Sequence, residues 1–150
     1  MRSISRREAL ALGAGSVAVT VMGPGALRAA AKDAEAEILK FTGGKKPEIG
    51  KIAIELPEIA ENGNTVPLTF TVDSPMTEQD HITEVLVVAD GNPRPGVATF
   101  HFSPLSGKAE ASTRIRLATT QNIVVVAKTK SGQFLTEQKL VKVTIGGCGG

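Results

Sequence analysis

The residue best suited to covalent chemistry is Cys148, the only cysteine in the chain of 150 residues. It lies in the C-terminal run Gly146-Gly147-Cys148-Gly149-Gly150, in which every other residue is glycine. A thiolate acts as a nucleophile and as a metal ligand. One cysteine supplies only one ligand, so we do not expect a zinc or copper site built by this chain alone. The tail instead predicts a covalent attachment point on the sulfur of Cys148.

The residues around that thiol predict a flexible arm. Glycine has no Cβ and adopts backbone conformations that other residues avoid. The four glycines Gly146, Gly147, Gly149 and Gly150 therefore indicate a thin coil, which at full extension spans roughly 17 Å. A free thiol is mostly protonated at neutral pH, and the nearest cation in the sequence is Lys142. We therefore expect partner enzymes to supply the group that activates the thiol.

The N-terminus has the features of an export signal. Arg6 and Arg7 precede an apolar run over residues 9–26, and the small residues Ala29-Ala30-Ala31 follow. A basic start, an apolar middle and a small-residue cut site predict a signal over residues 1–31, cleaved near Ala31. The paired arginines favour the twin-arginine route and hence a periplasmic protein. The alternative, an uncleaved membrane anchor, is less consistent with an apolar run that is short and interrupted by glycine.

Composition argues against several function classes. Without Arg2, Arg6, Arg7, Arg28 and Glu8 of the signal, the 17 basic and 15 acidic residues become 13 and 14, so no basic surface for nucleic acid is indicated. Aromatic residues make up 3% of the chain, and Trp and Tyr are absent. No nucleophile–base set, carboxylate pair or phosphate-binding loop stands out, so we expect neither catalytic activity nor a cofactor.

The elements that must position the tail are predicted to be strands. In residues 66–72, Val, Leu, Phe and Val alternate with Pro, Thr and Thr, which is the period of a half-buried strand. Turn residues separate most of seven such runs, which span residues 52–56, 66–72, 82–89, 97–102, 109–117, 122–127 and 134–145. This pattern predicts a mostly β domain over residues 32–145, an immunoglobulin-like antiparallel β-sandwich of about seven strands. Apolar spacing over residues 33–41 adds a short N-terminal helix, and residues 146–150 form the arm.

Other polar features have simpler explanations than a ligand site. His81 and His101 are the only histidines. His101 alternates with Phe100 and Phe102, so we expect it on the outer face of its strand, and a metal site formed by the two histidines is not favoured. The segment 90–96 contains glycines and prolines in a pattern typical of a rigid connection between strands.

The signal with Arg6-Arg7, the sandwich pattern and the terminal Gly146-Gly147-Cys148-Gly149-Gly150 resemble the SoxY family, the sulfur carriers of the bacterial thiosulfate-oxidising (Sox) system. The resemblance implies that Cys148 carries thiosulfate-derived sulfur on a swinging arm. It also implies a heterodimer with a SoxZ-like β subunit. The further partners it implies are a haem-containing conjugating enzyme, a sulfate-releasing hydrolase and a sulfane dehydrogenase.

A function of another class stays open. An odd cysteine in an exported protein can form an intermolecular disulfide, and the edge strands of a sandwich invite pairing with another chain. The chain would then be a structural or interaction module. That alternative predicts a covalent dimer through Cys148 with no small sulfur adduct. A metal or redox carrier would need further ligands near the tail, and the sequence has none there.

Overall fold

The computed structural model of the chain describes residues 24–147. Several residues of the sequence-based predictions lie outside this part, namely Arg6, Arg7, Cys148, Gly149 and Gly150. The predicted roles of these five residues stay predictions. Of the predicted arm, the structure describes Gly146 and Gly147.

One α-helix and nine strands make up the regular structure of residues 24–147. The helix α1 spans Pro24–Thr42. The strands are β1 (Glu48–Ile49), β2 (Ile52–Glu55), β3 (Ile59–Ala60), β4 (Val66–Val72), β5 (Ile82–Ala89), β6 (Gly96–His101), β7 (Ala109–Ile115), β8 (Gln121–Thr129) and β9 (Phe134–Val143). A single 3-10 turn, Pro104–Ser106, connects β6 to β7.

The strands form two sheets. The larger has the order β1-β9-β8-β5-β6, with β3 also paired to β9, and the smaller has the order β2-β4-β7. All pairs between the seven longer strands are antiparallel, whereas the two-residue strands β1 and β3 run parallel to β9. The predicted mostly β sandwich is confirmed, and its seven predicted strands correspond to the seven longer ones. The strands β1 and β3 were not predicted from the sequence.

The main core lies between the sheets. In β4 every second side chain is buried, and Phe70 is fully enclosed, with its ring edge-on to Phe100 (5.2 Å between centroids) and to Phe102 (6.3 Å). From the facing sheet, β5 and β8 contribute alternate residues such as Val87 and Val125, both fully buried. Burial of these apolar side chains is the dominant favourable contribution to folding.

A second apolar cluster lies on the outer face of the larger sheet. There, α1 packs Ala34, Ile38 and Phe41 against Leu86 and Val88 of β5. Because the helix covers this face, β5 is buried on both sides, which explains why its sequence is a continuous apolar run rather than an alternating one.

The helix is longer than the sequence analysis predicted. It begins at Pro24 instead of Asp33, so the predicted cut after Ala31 falls within it. Its end was correctly located: Gly43 and Gly44 have φ values of +62° and +84°. The N–H of Gly44 donates to the carbonyl of Leu39 at 3.2 Å, which closes the last turn. Among the described residues, no helix has both the length and the apolar character required to cross a bilayer.

Candidate functional site: the base of the C-terminal tail

The tail leaves the domain from the end of β9, where that strand is held by its neighbours. The N–H of Thr144 donates to the carbonyl of Ala60 in β3 at 3.0 Å, and its hydroxyl donates to the carbonyl of Glu61 at 3.0 Å. On the side of β8, the N–H of Val143 donates to the hydroxyl of Thr120 at 2.9 Å. The final strand is therefore fixed as far as Thr144.

Backbone hydrogen bonds continue past the strand to Ile145 and Gly147. The N–H of Gly63 donates to the carbonyl of Ile145, and the N–H of Leu117 donates to the carbonyl of Gly63, both at 2.8 Å. The N–H of Gly147 then donates to the carbonyl of Leu117 at 2.8 Å. Three distant parts of the chain thus meet in one connected set of hydrogen bonds, and Gly147 is buried.

These contacts are too close for any residue other than glycine. A Cβ at Gly146 would lie closer than 3.0 Å to the carbonyl oxygen of Ala118, and one at Gly147 would lie 2.7 Å from the carbonyl of Gly63. A Cβ at Gly63 would in turn overlap the carbonyl oxygen of Leu117. We call Gly63, Leu117 and Ala118 the tail mount, since these three residues contact Gly146 and Gly147.

The side chain of Asn92, which is 6% exposed, forms hydrogen bonds to the 116–118 segment on the edge opposite the tail. Its Nδ2 donates to the carbonyl of Arg116 at 2.8 Å, and its Oδ1 accepts the N–H of Ala118 at 2.9 Å. Neighbouring residues of an extended chain direct their polar groups to opposite edges. Because Asn92 occupies the edge formed by Arg116 and Ala118, the N–H and C=O of Leu117 between them face Gly63 and Gly147.

A second buried amide completes this arrangement. Gln121 donates from Nε2 to Oδ1 of Asn92 and to the carbonyl of Thr119, each at 2.9 Å, and its Oε1 accepts the N–H of Gly91 at 2.8 Å. Within the part of the chain that the structure describes, every buried side-chain nitrogen and oxygen has a hydrogen-bond partner. A fully satisfied buried network of this kind makes a local structure rigid.

At Gly146 and Gly147 the structure differs from the expected arm. From the sequence, a flexible coil is predicted to begin directly after Ile145, because glycine is conformationally free. In the structure these two glycines lie against the tail mount, and their missing side chains allow close backbone packing. Gly147 is the last residue with a described contact, and Cys148 directly follows it.

The histidines take no part in this site. His81 is 8% exposed, and its Nδ1 lies 2.8 Å from the carbonyl oxygen of Thr77 in the preceding loop. His101 is exposed as expected, with its Nδ1 3.5 Å from a carboxylate oxygen of Glu84. Among residues 24–147, no three His, Cys, Asp or Glu side chains come together as a metal-binding group.

Sequence reasoning missed the contributions of Gly63 and Asn92. The segment 90–96 is predicted to be a rigid connection. Residues 90–95 do connect β5 to β6, and the side chain of Asn92 bonds to residues more than twenty positions away. No local pattern encodes those partners. The one available signal was the placement of Asn92 within a turn cluster next to a long apolar strand.

Comparison with known proteins identifies the family. The family described as sulfur oxidation protein SoxY matches residues 38–148, which include Cys148. Among solved structures, the sulfur carrier protein SoxY from Chlorobium limicola f thiosulfatophilum is 33% identical, with a TM-score of 0.67. That match covers 78% of this chain and 97% of the other. No curated protein matches the chain.

More distant structures share the fold alone. The superoxide reductase (neelaredoxin) from Ignicoccus hospitalis is 15% identical, with a TM-score of 0.56, over 63% of this chain and 80% of that protein. A putative superoxide reductase from Thermotoga maritima is 19% identical, with a TM-score of 0.52, over 69% and 89%. At these identities the structural similarity indicates a shared fold but no shared function. The family match, in contrast, spans most of the described domain. The chain belongs to the SoxY family of sulfur oxidation proteins.

Proposed function

We propose that the chain is a periplasmic, non-catalytic sulfur carrier that holds thiosulfate-derived intermediates on Cys148 and presents them to partner enzymes. The observation that carries the proposal is the backbone anchorage of Gly147, which is directly followed by the only cysteine of a SoxY-family chain. Anchorage at this point keeps the attached cysteine close to the domain, because a single peptide bond joins Gly147 to Cys148. The periplasmic location rests on the predicted signal with Arg6 and Arg7.

The loading chemistry is an oxidative coupling. The sulfur of Cys148 and the outer sulfur of thiosulfate form a new S–S bond, the thiol loses its proton, and two electrons pass to the haem-containing partner. Water then cleaves the bond between the outer sulfur and the sulfonate. This hydrolysis releases sulfate and a proton and leaves a persulfide on Cys148. The electrons and the hydrolysis are handled by partner enzymes, so the carrier needs only an accessible thiol.

The partners follow from the same proposal. A SoxZ-like β subunit forms a heterodimer with this chain. The conjugating enzyme, the sulfate-releasing hydrolase and the sulfane dehydrogenase each dock on the domain in turn. A substrate tethered to a docked body is present at a high effective concentration. The domain thus provides the binding affinity for each partner enzyme, and Cys148 presents the attached sulfur to it.

Intact mass spectrometry tests the proposal. The protein is purified from the periplasm without reductant, before and after exposure to thiosulfate and the partner enzymes. We expect an adduct on the C-terminal peptide with the mass of a thiosulfonate or of added sulfur, which is lost on reduction. A Cys148→Ser variant carried through the same steps gives the baseline.

The competing function predicts a different mass. If the chain were an interaction module, the main product would be a disulfide-linked dimer through Cys148, without a sulfur adduct even after exposure to substrate and partners. That result would replace the carrier proposal. A small population of dimer beside the adduct is consistent with the carrier, since an accessible thiol oxidises readily.

A further inference from the structure

The contacts at the base of the tail depend on residues that are far from Cys148 in the sequence. We propose that Asn92 and Gly63 are positioning residues for the carrier cysteine, because they fix the backbone site against which Gly146 lies and to which the N–H of Gly147 is hydrogen-bonded. The importance of this positioning for sulfur transfer rests on the proposed function. The anchorage of Gly147 is independent of the proposed function, since it rests only on the observed contacts.

The first step is the orientation of Leu117. Its N–H and C=O are the groups that bind Gly63 and Gly147. They face the tail because the neighbouring polar groups, the C=O of Arg116 and the N–H of Ala118, are taken up by the amide of Asn92. Loss of that amide removes the partner of two backbone groups of the 116–118 segment, the C=O of Arg116 and the N–H of Ala118. The segment then loses the constraint that aligns Leu117 with the tail.

The second step is steric. The N–H of Gly63 holds Ile145, and its C=O holds Leu117, so this glycine joins the mount to the tail. A methyl group at position 63 would overlap the backbone of Leu117 and lie 2.6 Å from the nitrogen of Gly147. Since backbone atoms cannot rotate away, the backbone of Gly63, Leu117 or Gly147 must shift, and each of these shifts strains the hydrogen bonds that hold the tail. Gly63→Ala therefore displaces Gly147 from the mount.

The third step concerns the range of the thiol. With Gly147 bound, the Cα of Cys148 lies about 3.8 Å from a fixed Cα. With Gly146 and Gly147 released, the same atom is three residues beyond Ile145 and can reach roughly 10 Å from it. The mount thus restricts the volume that the sulfur explores before docking, and that restriction lowers the entropy lost when an enzyme binds it.

Two measurements test the anchorage. The first is hydrogen exchange of the Gly147 amide by NMR. In the unmodified protein we expect this amide to exchange at least about tenfold more slowly than an unprotected glycine amide. The second is the electron paramagnetic resonance spectrum of a nitroxide attached to Cys148, the only cysteine, which we expect to show restricted motion.

The variants Gly63→Ala and Asn92→Ala should remove the protection of Gly147 and narrow the nitroxide lines. Matched controls should leave both readouts unchanged. Gly96→Ala adds a methyl group whose nearest neighbour would be 3.7 Å away. Asn122→Ala removes an amide that bonds to Asp90 at 2.9 Å and does not touch the mount. Amides of the central strand β8 serve as an internal reference for folding.

A third variant keeps the test decisive if either substitution prevents folding. Gly147→Ala changes the tail alone, and the added methyl group would lie 2.7 Å from Gly63. It should release the nitroxide while the β8 amides keep their protection. An unprotected Gly147 amide in the unmodified protein would overturn the proposal. So would variants that fold and leave both readouts unchanged. Neither measurement needs thiosulfate or a partner enzyme. If the proposed carrier function were wrong, both readouts could still show that the tail is anchored, so the two proposals are tested separately.

Discussion

Cys148 lies one residue beyond Gly147, the last residue that the structure describes. No element of the described domain includes it, and the buried clusters form from other residues. A substitution at this position therefore tests the proposed sulfur attachment without changing the described core clusters.

We expect Cys148→Ser to abolish thiosulfate-dependent turnover and to leave the midpoint of thermal unfolding unchanged. The hydroxyl of serine cannot form the S–S bond. Serine differs from cysteine by one side-chain atom, so we expect the core clusters of residues 24–147 to stay as they are. Turnover is measured with the reconstituted partner enzymes, and unfolding is followed by circular dichroism. An unfolded variant, or one with undiminished turnover, would show that Cys148 has a different role.

Phe70 is a residue on which the fold depends. Its ring is fully buried and packs in edge-on geometry with Phe100 of β6 and with Phe102, which directly follows that strand. We expect Phe70→Ala to lower the free energy of unfolding by about 3–5 kcal/mol, since it removes buried surface and leaves a cavity. Chemical denaturation measures the change. Leu105→Ala is the control: Leu105 is 97% exposed, and its truncation should cost less than about 0.5 kcal/mol. Equal losses in the two variants would contradict the assigned core.

At the scale of elements, α1 is attached to the sandwich through one narrow face. Ala34 is 3% exposed against the outer face of β5, whereas Ala36 is on the opposite, exposed side of the helix. The cluster under the helix is separate from the core between the sheets. Loss of the helix contact should therefore leave the sandwich itself folded.

We expect Ala34→Glu to detach α1, because a carboxylate cannot be buried there without a partner. The helical signal in circular dichroism should fall, while the exchange protection of β8 amides is kept. Ala36→Glu, which places the same side chain in solvent, should leave both signals unchanged. If Ala34→Glu kept the full helical signal, the docking of α1 through this face would be wrong.

The sequence predicted elements better than it predicted their contacts. All seven longer strands were found, because alternation and turn residues are local properties. The strands β1 and β3 were missed, since two residues such as Glu48-Ile49 show no period and exist only through pairing with β9. The tail mount was missed for the same reason. The need for glycine at Gly63 arises from an approach by residues of two other segments.

At the scale of the whole molecule, the predicted cut near Ala31 divides α1 but retains its packing face. Ala34, Ile38 and Phe41 all follow the cut and contact the larger sheet. We therefore expect a chain beginning at Lys32 to have the same sandwich and a thermal midpoint within a few degrees of the full chain. Thermal unfolding by circular dichroism tests this.

A chain beginning at Gly43 is the informative comparison. It lacks the helix and exposes Leu86, Val88 and Val124 to solvent. Exposure of this apolar surface should lower the midpoint clearly below that of the chain beginning at Lys32. Equal midpoints for the two shortened chains would mean that the helix contributes nothing to the stability of the domain.

The pairing of β9 has a consequence for how the molecule is made. This strand lies between β8 and the short strands β1 and β3, which come from the opposite end of the domain sequence. During translation β1 and β3 cannot pair until β9 has been synthesised, because long-range pairing needs both segments. A nascent chain that stops before β9 cannot complete the larger sheet. A correctly folded sandwich is therefore one whose synthesis has already reached the start of the glycine tail.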